Sequence, residues 1–484
     1  MRLRLFWFYL LVVTTLSSCD KSNHWAAMAR ADIDYIKQIV EQNHPGYVDP
    51  NNPQFKTQLE QNYKNVIDQL QYVQSLDAVL NLDNEFIASF ADYHVSIEFR
   101  FKPAFPMWAG MKIERRNEKY VVTKLADAWP VGLPNIDSEL IGCDGRSAKE
   151  IMDYDILRYR YANYDVEYPR IKYASKLLLD DGIGFRKRLE TCVFQDATKT
   201  EISYALKWQA FTNQNSAEWD AAVAKKDNFS IERLPESVVW VRLPSFQPEG
   251  AEIEKMSTGL KLLADMHADA NNTIVFDVRG NSGGYLGSAA AFVQSVYGIH
   301  AFVSLFSAEI KDNTRLLRAS PAHVERIKKM VDRNAMDDMQ RNNNQALISA
   351  FESSITQGLP FAKNLEQRID FSIADSRPIE DIRKSLPKLV VVTDHFCASE
   401  CLTFVQLIVH EPNNLHIGAT TYSDSTYSLL YPKDPFELPS KLGSFNLPFA
   451  IFGQNGPFVP SLKFGGDMND TDELKRWLMN IVKH

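Results

Sequence analysis

From Asp32 to Phe90 the apolar residues recur at helical spacing: Ile33, Ile36 and Val40, then Phe55, Leu59, Tyr63, Val66, Leu70 and Val73, then Val79, Leu80, Phe86, Ile87 and Phe90. The pattern predicts an N-terminal helical domain, placed at residues 19–102. His44-Pro45-Gly46 should end its first helix, because the residue before a proline is pushed out of helical geometry and glycine tolerates a turn just beyond it. Between Met107 and Met152 the period shortens to strand-like pieces, Met111 to Ile113, Tyr120 to Val122, and Leu140-Ile141-Gly142-Cys143-Asp144-Gly145 before a short helical tail. A small β-rich module is expected over 103–155, and the mixed signals of 156–236 read as a connecting region. From Ser237 the pattern sharpens. The apolar run Val238 to Leu243, a helix carried by Ile253, Met256, Leu260 and Leu263, and the strand Thr273 to Arg279 are followed, after a gap, by Leu389 to Thr393, a helix from about Ser399 to His410, and Leu415 to Thr420. Alternating strands and helices predict a largely parallel, covered α/β sheet over 237–484. The intervening residues 301–387 are polar, Asn-rich and partly helical, and read as an insertion, either a lid or a structural excursion.

At 484 residues the chain is long enough for roughly three domains. A net charge of -8 argues against a nucleic-acid partner, since such proteins draw much of their affinity from Lys and Arg on phosphates. The N-terminus differs from the body: Arg2 and Arg4 precede an apolar run from Leu5 to Leu16, then Ser17, Ser18 and Cys19, which reads as a signal peptide over 1–18. Leu16-Ser17-Ser18-Cys19 resembles the lipobox of bacterial lipoproteins, in which the Cys is lipidated and becomes the new N-terminus. That resemblance implies a chain attached at Cys19 to a membrane of the bacterial cell envelope, facing the periplasm and touching the membrane through its lipid alone. The four other cysteines, Cys143, Cys192, Cys397 and Cys401, allow three pairings in a compartment that permits disulfides, and Cys397 with Cys401 closes the shortest loop.

Two loops follow buried strands at their C-terminal ends, where open α/β sheets place ligand sites. The first is Asp277-Val278-Arg279-Gly280-Asn281-Ser282-Gly283-Gly284. It lacks the Lys and the spacing of a phosphate-binding Walker loop, and its glycines serve either turn geometry alone or the exposure of backbone N–H groups to an anion. The second is Asp394-His395-Phe396-Cys397-Ala398-Ser399-Glu400-Cys401. A Ser among small residues at a strand-to-helix turn suits a nucleophile, and equally suits a helix cap.

Together the loops resemble the tail-specific, or C-terminal processing, protease family of serine peptidases, whose glycine loop reads Asp-Leu-Arg-x-Asn-x-Gly-Gly. Every fixed position is matched except Leu, replaced by Val278. The resemblance implies an α/β protease core with a ClpP/crotonase-like mixed sheet and helices, and the order of strand, charged turn, Tyr-Val-Val and Ile-Gly-Cys-Asp-Gly over 103–155 resembles a PDZ-like module, with an ordinary small β-rich domain as the alternative. Counting five residues from Asp394, as in the family, reaches Ser399 as the nucleophile; aligning on Glu400 instead would place Cys397 there. With Ser399 chosen, Cys397 is left to pair with Cys401, which requires Cys397 to sit before the helix begins. The N–H groups of Gly283 and Glu400 are the expected oxyanion donors. The family's basic Lys is absent, its place held by Asp424. Asp92-Tyr93-His94 instead resembles the Asp-x-His segment of the tricorn-like branch, which makes His94 the candidate base, with a structural histidine as the alternative. Asp467, Asp470 and Asp424 are candidates for the third member. No cofactor or metal is called for, and His44, His395 and His416 are read as structural. The implied function is a lipid-anchored serine peptidase acting on peptides or unfolded proteins; the alternative is a catalytically silent peptide- or ligand-binding envelope lipoprotein.

Overall fold

A computed structural model describes residues 19–100, 106–184, 187–212, 228–266, 270–285, 287–312, 316–333, 338–363, 371–423, 426–428, 435–451 and 456–482. Residues 1–18, which the sequence reads as a signal peptide, lie outside the described residues. Cys19 is the first residue of the Cys19–Asn43 helix. Among the described residues no single helix is long and apolar enough to cross a membrane. The chain divides into two compact units, one made of Met1–Trp219, Leu316–Asn364 and Tyr427–Ile451, the other of Asp220–Arg315, Leu365–Thr426 and Phe452–His484.

The first unit opens with the helices Cys19–Asn43, Phe55–Ile67 and Leu76–Ala88, at the positions the apolar spacing marks. The first stops at Asn43, where His44 takes an extended conformation before Pro45. Ile33, Ile36, Val40, Leu59, Val79 and Phe86 form their common core together with Leu438, Phe445 and Leu447, from the far end of the sequence. The strand Ser96–Phe99 pairs antiparallel with Gly443–Asn446 in the same unit. Residues 316–364, within the expected 301–387 insertion, and 427–451, within the expected 237–484 core, share the compact unit of the N-terminal helices.

Met111–Arg116, Lys119–Leu125 and Glu139–Cys143 continue into Thr191–Gln195 and Glu201–Ala205 as one antiparallel sheet in that order. Cys143 lies opposite Cys192 across it and the two sulfurs are bonded. Two strands of this sheet, Thr191–Gln195 and Glu201–Ala205, come from the stretch 156–236, and pairing across dozens of residues leaves no local signature.

The second unit holds the α/β sheet, in the order Ser230–Leu234, Val238–Arg242, Thr273–Asp277, Lys388–Thr393, Leu415–Gly418 and Leu462–Lys463. The first pair is antiparallel and the remaining pairs are parallel. Side chains alternate across it. Val239, Val241, Ile274, Phe276, Leu389 and Val391 face a core with Leu263, Phe292 and Phe404, while Val238, Trp240, Val275, Val390 and Val392 pack on Leu474 and Leu478. Burial on both faces explains why these strands read as continuous apolar runs.

The Cys143–Cys192 bridge spans 49 residues of the chain. Replacing both residues by Ser should lower the unfolding free energy of this sheet by about 2–4 kcal/mol, through the freer unfolded chain. Urea melts of wild type and variant check this, and the difference should vanish once the wild type is reduced.

Candidate functional site

Thr273–Asp277 and Lys388–Thr393 are neighbours in parallel register, with Asp277 opposite Val392, so both candidate loops leave the same edge of the sheet side by side. The Asp and Arg of the glycine loop are structural. Asp277 is fully buried, and Arg279 grips it through Nε to Oδ1 at 2.8 Å and Nη2 to Oδ2 at 2.6 Å. Arg279 also donates to Thr471 Oγ1 at 2.9 Å and to the Met468 carbonyl. A paired, bidentate ion pair tolerates this burial and fixes where the loop starts.

Asn281, likewise buried, donates from Nδ2 to the Leu243 carbonyl at 2.9 Å and accepts from the Gly283 N–H at 2.9 Å. Gly283 has φ +102, and a Cβ there would stand 2.8 Å from the Ser399 Cβ; Gly284 has φ +154, and a Cβ there would stand 2.2 Å from the Phe246 carbonyl carbon. The paired glycines are therefore required by close approach as well as by backbone conformation. They also place the glycine loop directly against Ser399.

Ser399 is exposed and occupies φ 54, ψ -125, immediately before the Glu400–His410 helix. Its side chain makes no capping hydrogen bond to that helix, so the expected alternative of an N-cap is not what holds it. Positive φ in a residue with a Cβ is a strained turn. Cys397 precedes the helix and bonds Cys401, as the choice of Ser399 requires, and the bridge ties the turn to the first helical residues. Glu400 is buried, and its Oε1 accepts from the N–H groups of Gly287 at 2.8 Å and Ala289 at 3.1 Å. Asp394 accepts from the N–H groups of Gly280 at 2.9 Å and Phe396 at 3.0 Å. Burial pushes the Asp394 carboxyl up to about 6, with nearby Asp277 adding to the shift and the two amides and Arg279 opposing it.

The Gly283 N–H, expected as an oxyanion donor, points to Asn281 Oδ1 in this conformation, and that bond must open before the amide can serve an anion. The Glu400 N–H lies at the start of an eleven-residue helix, where the dipole favours negative charge.

In the other unit, His94 Nδ1 lies 3.1 Å from Asp92 Oδ1, and the same oxygen accepts the His94 backbone N–H at 2.8 Å. Asp92 is 7% exposed. A carboxylate at Nδ1 assigns the proton to that nitrogen and makes Nε2 the acceptor. Asp92 stands outside the third-member candidates Asp467, Asp470 and Asp424, and the Asp-x-His spacing is its signal: a carboxylate two residues upstream closes a local turn on the imidazole. Of the candidates, Asp470 caps the Thr471–Val482 helix through the Glu473 N–H at 2.8 Å, and Asp467 accepts from the Asn469 N–H at 2.9 Å. They shape the turn whose Met468 carbonyl receives Arg279. Asp424 lies outside the described residues.

His44 accepts the Gly46 N–H on Nδ1 and burial lowers it to about 3; His416 contacts Thr393 Oγ1 at 2.7 Å and burial lowers it to about 4. Both are neutral packing groups. Among the described residues no three His, Cys, Asp or Glu side chains are grouped to hold a metal.

Residues 237–439 match Peptidase family S41, a span that contains both loops and Ser399 and does not reach His94. No curated protein matches the chain. Among solved structures, mature CPAF complexed with lactacystin is similar over 95% of this chain and 99% of its own, at 10% identity and a TM-score of 0.59. Mature CPAF is similar over 90% and 92%, at 10% identity and 0.55. A putative S41 protease from Bacteroides fragilis covers 92% and 97%, at 14% identity and 0.34. The CPAF likeness is one of fold. The S41 match covers residues 237–439, and the CPAF likeness adds a mixed sheet-and-helix fold shared over most of the chain.

Two outcomes are expected from the loop geometry. Gly283→Ala should lower the unfolding free energy by about 1–3 kcal/mol, since it combines positive φ with a clash on Ser399. Gly280→Ala, at φ +74 with nothing within 4 Å of its Cβ, should cost about 1 kcal/mol in the same melts. For Asp394, a folded pKa of about 6 lies above the roughly 3.9 of an unfolded aspartate. The folded chain therefore holds an extra proton between these values, and stability contributed by this group grows as pH falls through about 6 toward 4. Wild type should gain about 1–2 kcal/mol on Asp394→Asn between pH 7.5 and 4.5, discounted for the partial exposure of the side chain. A pH-independent difference would contradict the assignment.

Proposed function

We propose that this protein is a serine-type peptidase in which Ser399 is the nucleophile, His94 the base and Asp92 the group that orients His94. The observation that carries the reading is the strained, exposed turn at Ser399, packed against Gly283 at the C-terminal edge of the sheet. Backbone strain of this kind persists only where surrounding structure enforces it, and here a disulfide, a buried ion pair and two carboxylate–amide contacts do so.

In this mechanism the Ser399 hydroxyl adds to the scissile carbonyl as His94 Nε2 takes its proton. The Asp92 carboxylate stabilises the resulting imidazolium at Nδ1. The Glu400 N–H, and the Gly283 N–H once released from Asn281, receive the oxyanion; donors of this kind are worth about 3–4 kcal/mol each. His94 then returns the proton to the leaving amine, and water resolves the acyl-enzyme by the same route. The missing family Lys is accommodated because the base comes from a different segment.

The substrate class is peptides or unfolded proteins, and the location is the cell envelope, with a lipid at Cys19. Two bonded cysteine pairs suit an oxidising compartment. The sheet over 111–205 is read as a PDZ-like peptide-binding accessory, whose edge strand would accept an extended segment.

Incubation with a fluorophosphonate probe followed by peptide mapping is the test. Wild type should acquire an adduct at Ser399, Ser399→Ala none, and His94→Ala should be labelled at least about 100-fold more slowly. Asp92→Asn should slow labelling by a comparable factor while leaving the thermal melt within a few degrees. Folded wild type that neither labels nor cleaves casein would leave a peptide-binding protein instead.

A further inference from the structure

The Ser288–Tyr297 helix begins with no side-chain cap of its own; Gly287, at φ +85, holds the capping position. The first N–H groups of such a helix need acceptors. They find one in Glu400, whose Oε1 takes both the Gly287 and Ala289 amides from 113 and 111 residues away in the sequence. Glu400 is also the residue after Ser399 and the first of its own helix. One side chain thus joins the starts of two helices, and its backbone forms one side of the strained turn.

The other end of the glycine loop is held in the same way. Asp394, five residues before Ser399, accepts the Gly280 N–H. The stretch from Gly280 to Gly287 is therefore stitched to the Ser399 turn at both ends by carboxylate–amide hydrogen bonds. Between the stitches lies Gly283, whose backbone is so close to Ser399 that a single added carbon would clash.

We propose that Glu400 is a positioning residue for the Ser399 nucleophile: by capping the Ser288–Tyr297 helix, its carboxylate fixes the glycine loop against the turn that presents the hydroxyl. This rests on the serine-peptidase reading and adds to it a role for the Glu400 side chain, distinct from that of its backbone N–H. The geometry sets three requirements. The side chain must reach Gly287 and Ala289, it must accept two hydrogen bonds on one oxygen, and it need not be charged to do so. Gln satisfies all three, Asp fails the first by one methylene, and Ala removes the acceptor.

The experiment uses the full chain and its Glu400→Gln, Glu400→Asp and Glu400→Ala forms, with fluorophosphonate acylation of Ser399 and peptide kcat and KM as readouts. A misplacement of about 1 Å at a reacting group costs on the order of 100-fold. Glu400→Asp and Glu400→Ala should therefore lose about 100-fold in acylation rate and kcat, with KM within about threefold. Glu400→Gln should recover all but about fivefold of that loss. Amide hydrogen exchange over 287–289 should be fast in the Asp and Ala forms and slow in wild type and the Gln form.

Wild-type acylation rates in Glu400→Asp, a loss confined to KM, or a Gln form as impaired as the Asp form would overturn the positioning role. If the Ala form does not fold, the Gln and Asp pair still decides. Wild type that is never acylated would instead sink the peptidase reading, and hydrogen exchange would then report separately whether Glu400 holds the glycine loop.

Discussion

The parallel pairing of Thr273–Asp277 with Lys388–Thr393 is the constraint on which the candidate site depends. These strands are more than a hundred residues apart in sequence, and their register sets Asp277 opposite Val392, so the chain leaves both at one level. A two-residue slip would carry the glycine loop some 7 Å along the sheet and away from Ser399. The register is protected because both faces are buried: a one-residue slip would exchange Val390 and Val392 with Leu389 and Val391, two sets fitted to different cores.

Above that edge, charge is used for placement. Asp277, Arg279, Glu400 and Asp394 are acids and a base that an apolar core would exclude, yet each meets donors or a counter-charge at hydrogen-bond distance. Asp277 with Arg279 sets where the glycine loop starts, and Asn281 folds it back toward Gly283. Asp394 and Glu400 then fasten it on either side of Ser399. Such groups are directional, which hydrophobic contacts are not, and a nucleophile must be placed within fractions of an ångström.

How much could be read from the sequence depends on the range of the interactions. The helices of 19–88 and the strands at 238, 273, 388 and 415 were legible because periodicity is local. The two loops were legible because their small residues must be small: Gly283 and Gly284 face atoms within 3 Å of where a Cβ would be. The hidden parts are non-local. Nothing near Ser96 announces Asn446 as its partner, nothing near Cys143 announces Cys192, and the capping role of the Glu400 side chain spans 111 residues. Asp92 is the exception, since its contact with His94 is two residues long and was written in the segment that drew attention to the histidine.

That short contact also separates His94 from the packing histidines. His44, His323 and His416 are buried, and desolvation drives all three toward the neutral form. His44 accepts from a backbone amide and His416 meets a threonine hydroxyl, while His323 lies between the Asn43 carbonyl and the Arg326 guanidinium; the charge of Asp92 raises His44, but burial outweighs it. A ring in that setting resists taking a proton. His94 has a buried carboxylate at Nδ1, which fixes the tautomer that leaves Nε2 as the acceptor. On the proposed mechanism an acid at position 424, where the Lys-dependent proteases that the loops resemble carry their base, is no obstacle. In that proposal the proton acceptor is defined by what stands behind the imidazole, and a turn of three residues supplies it.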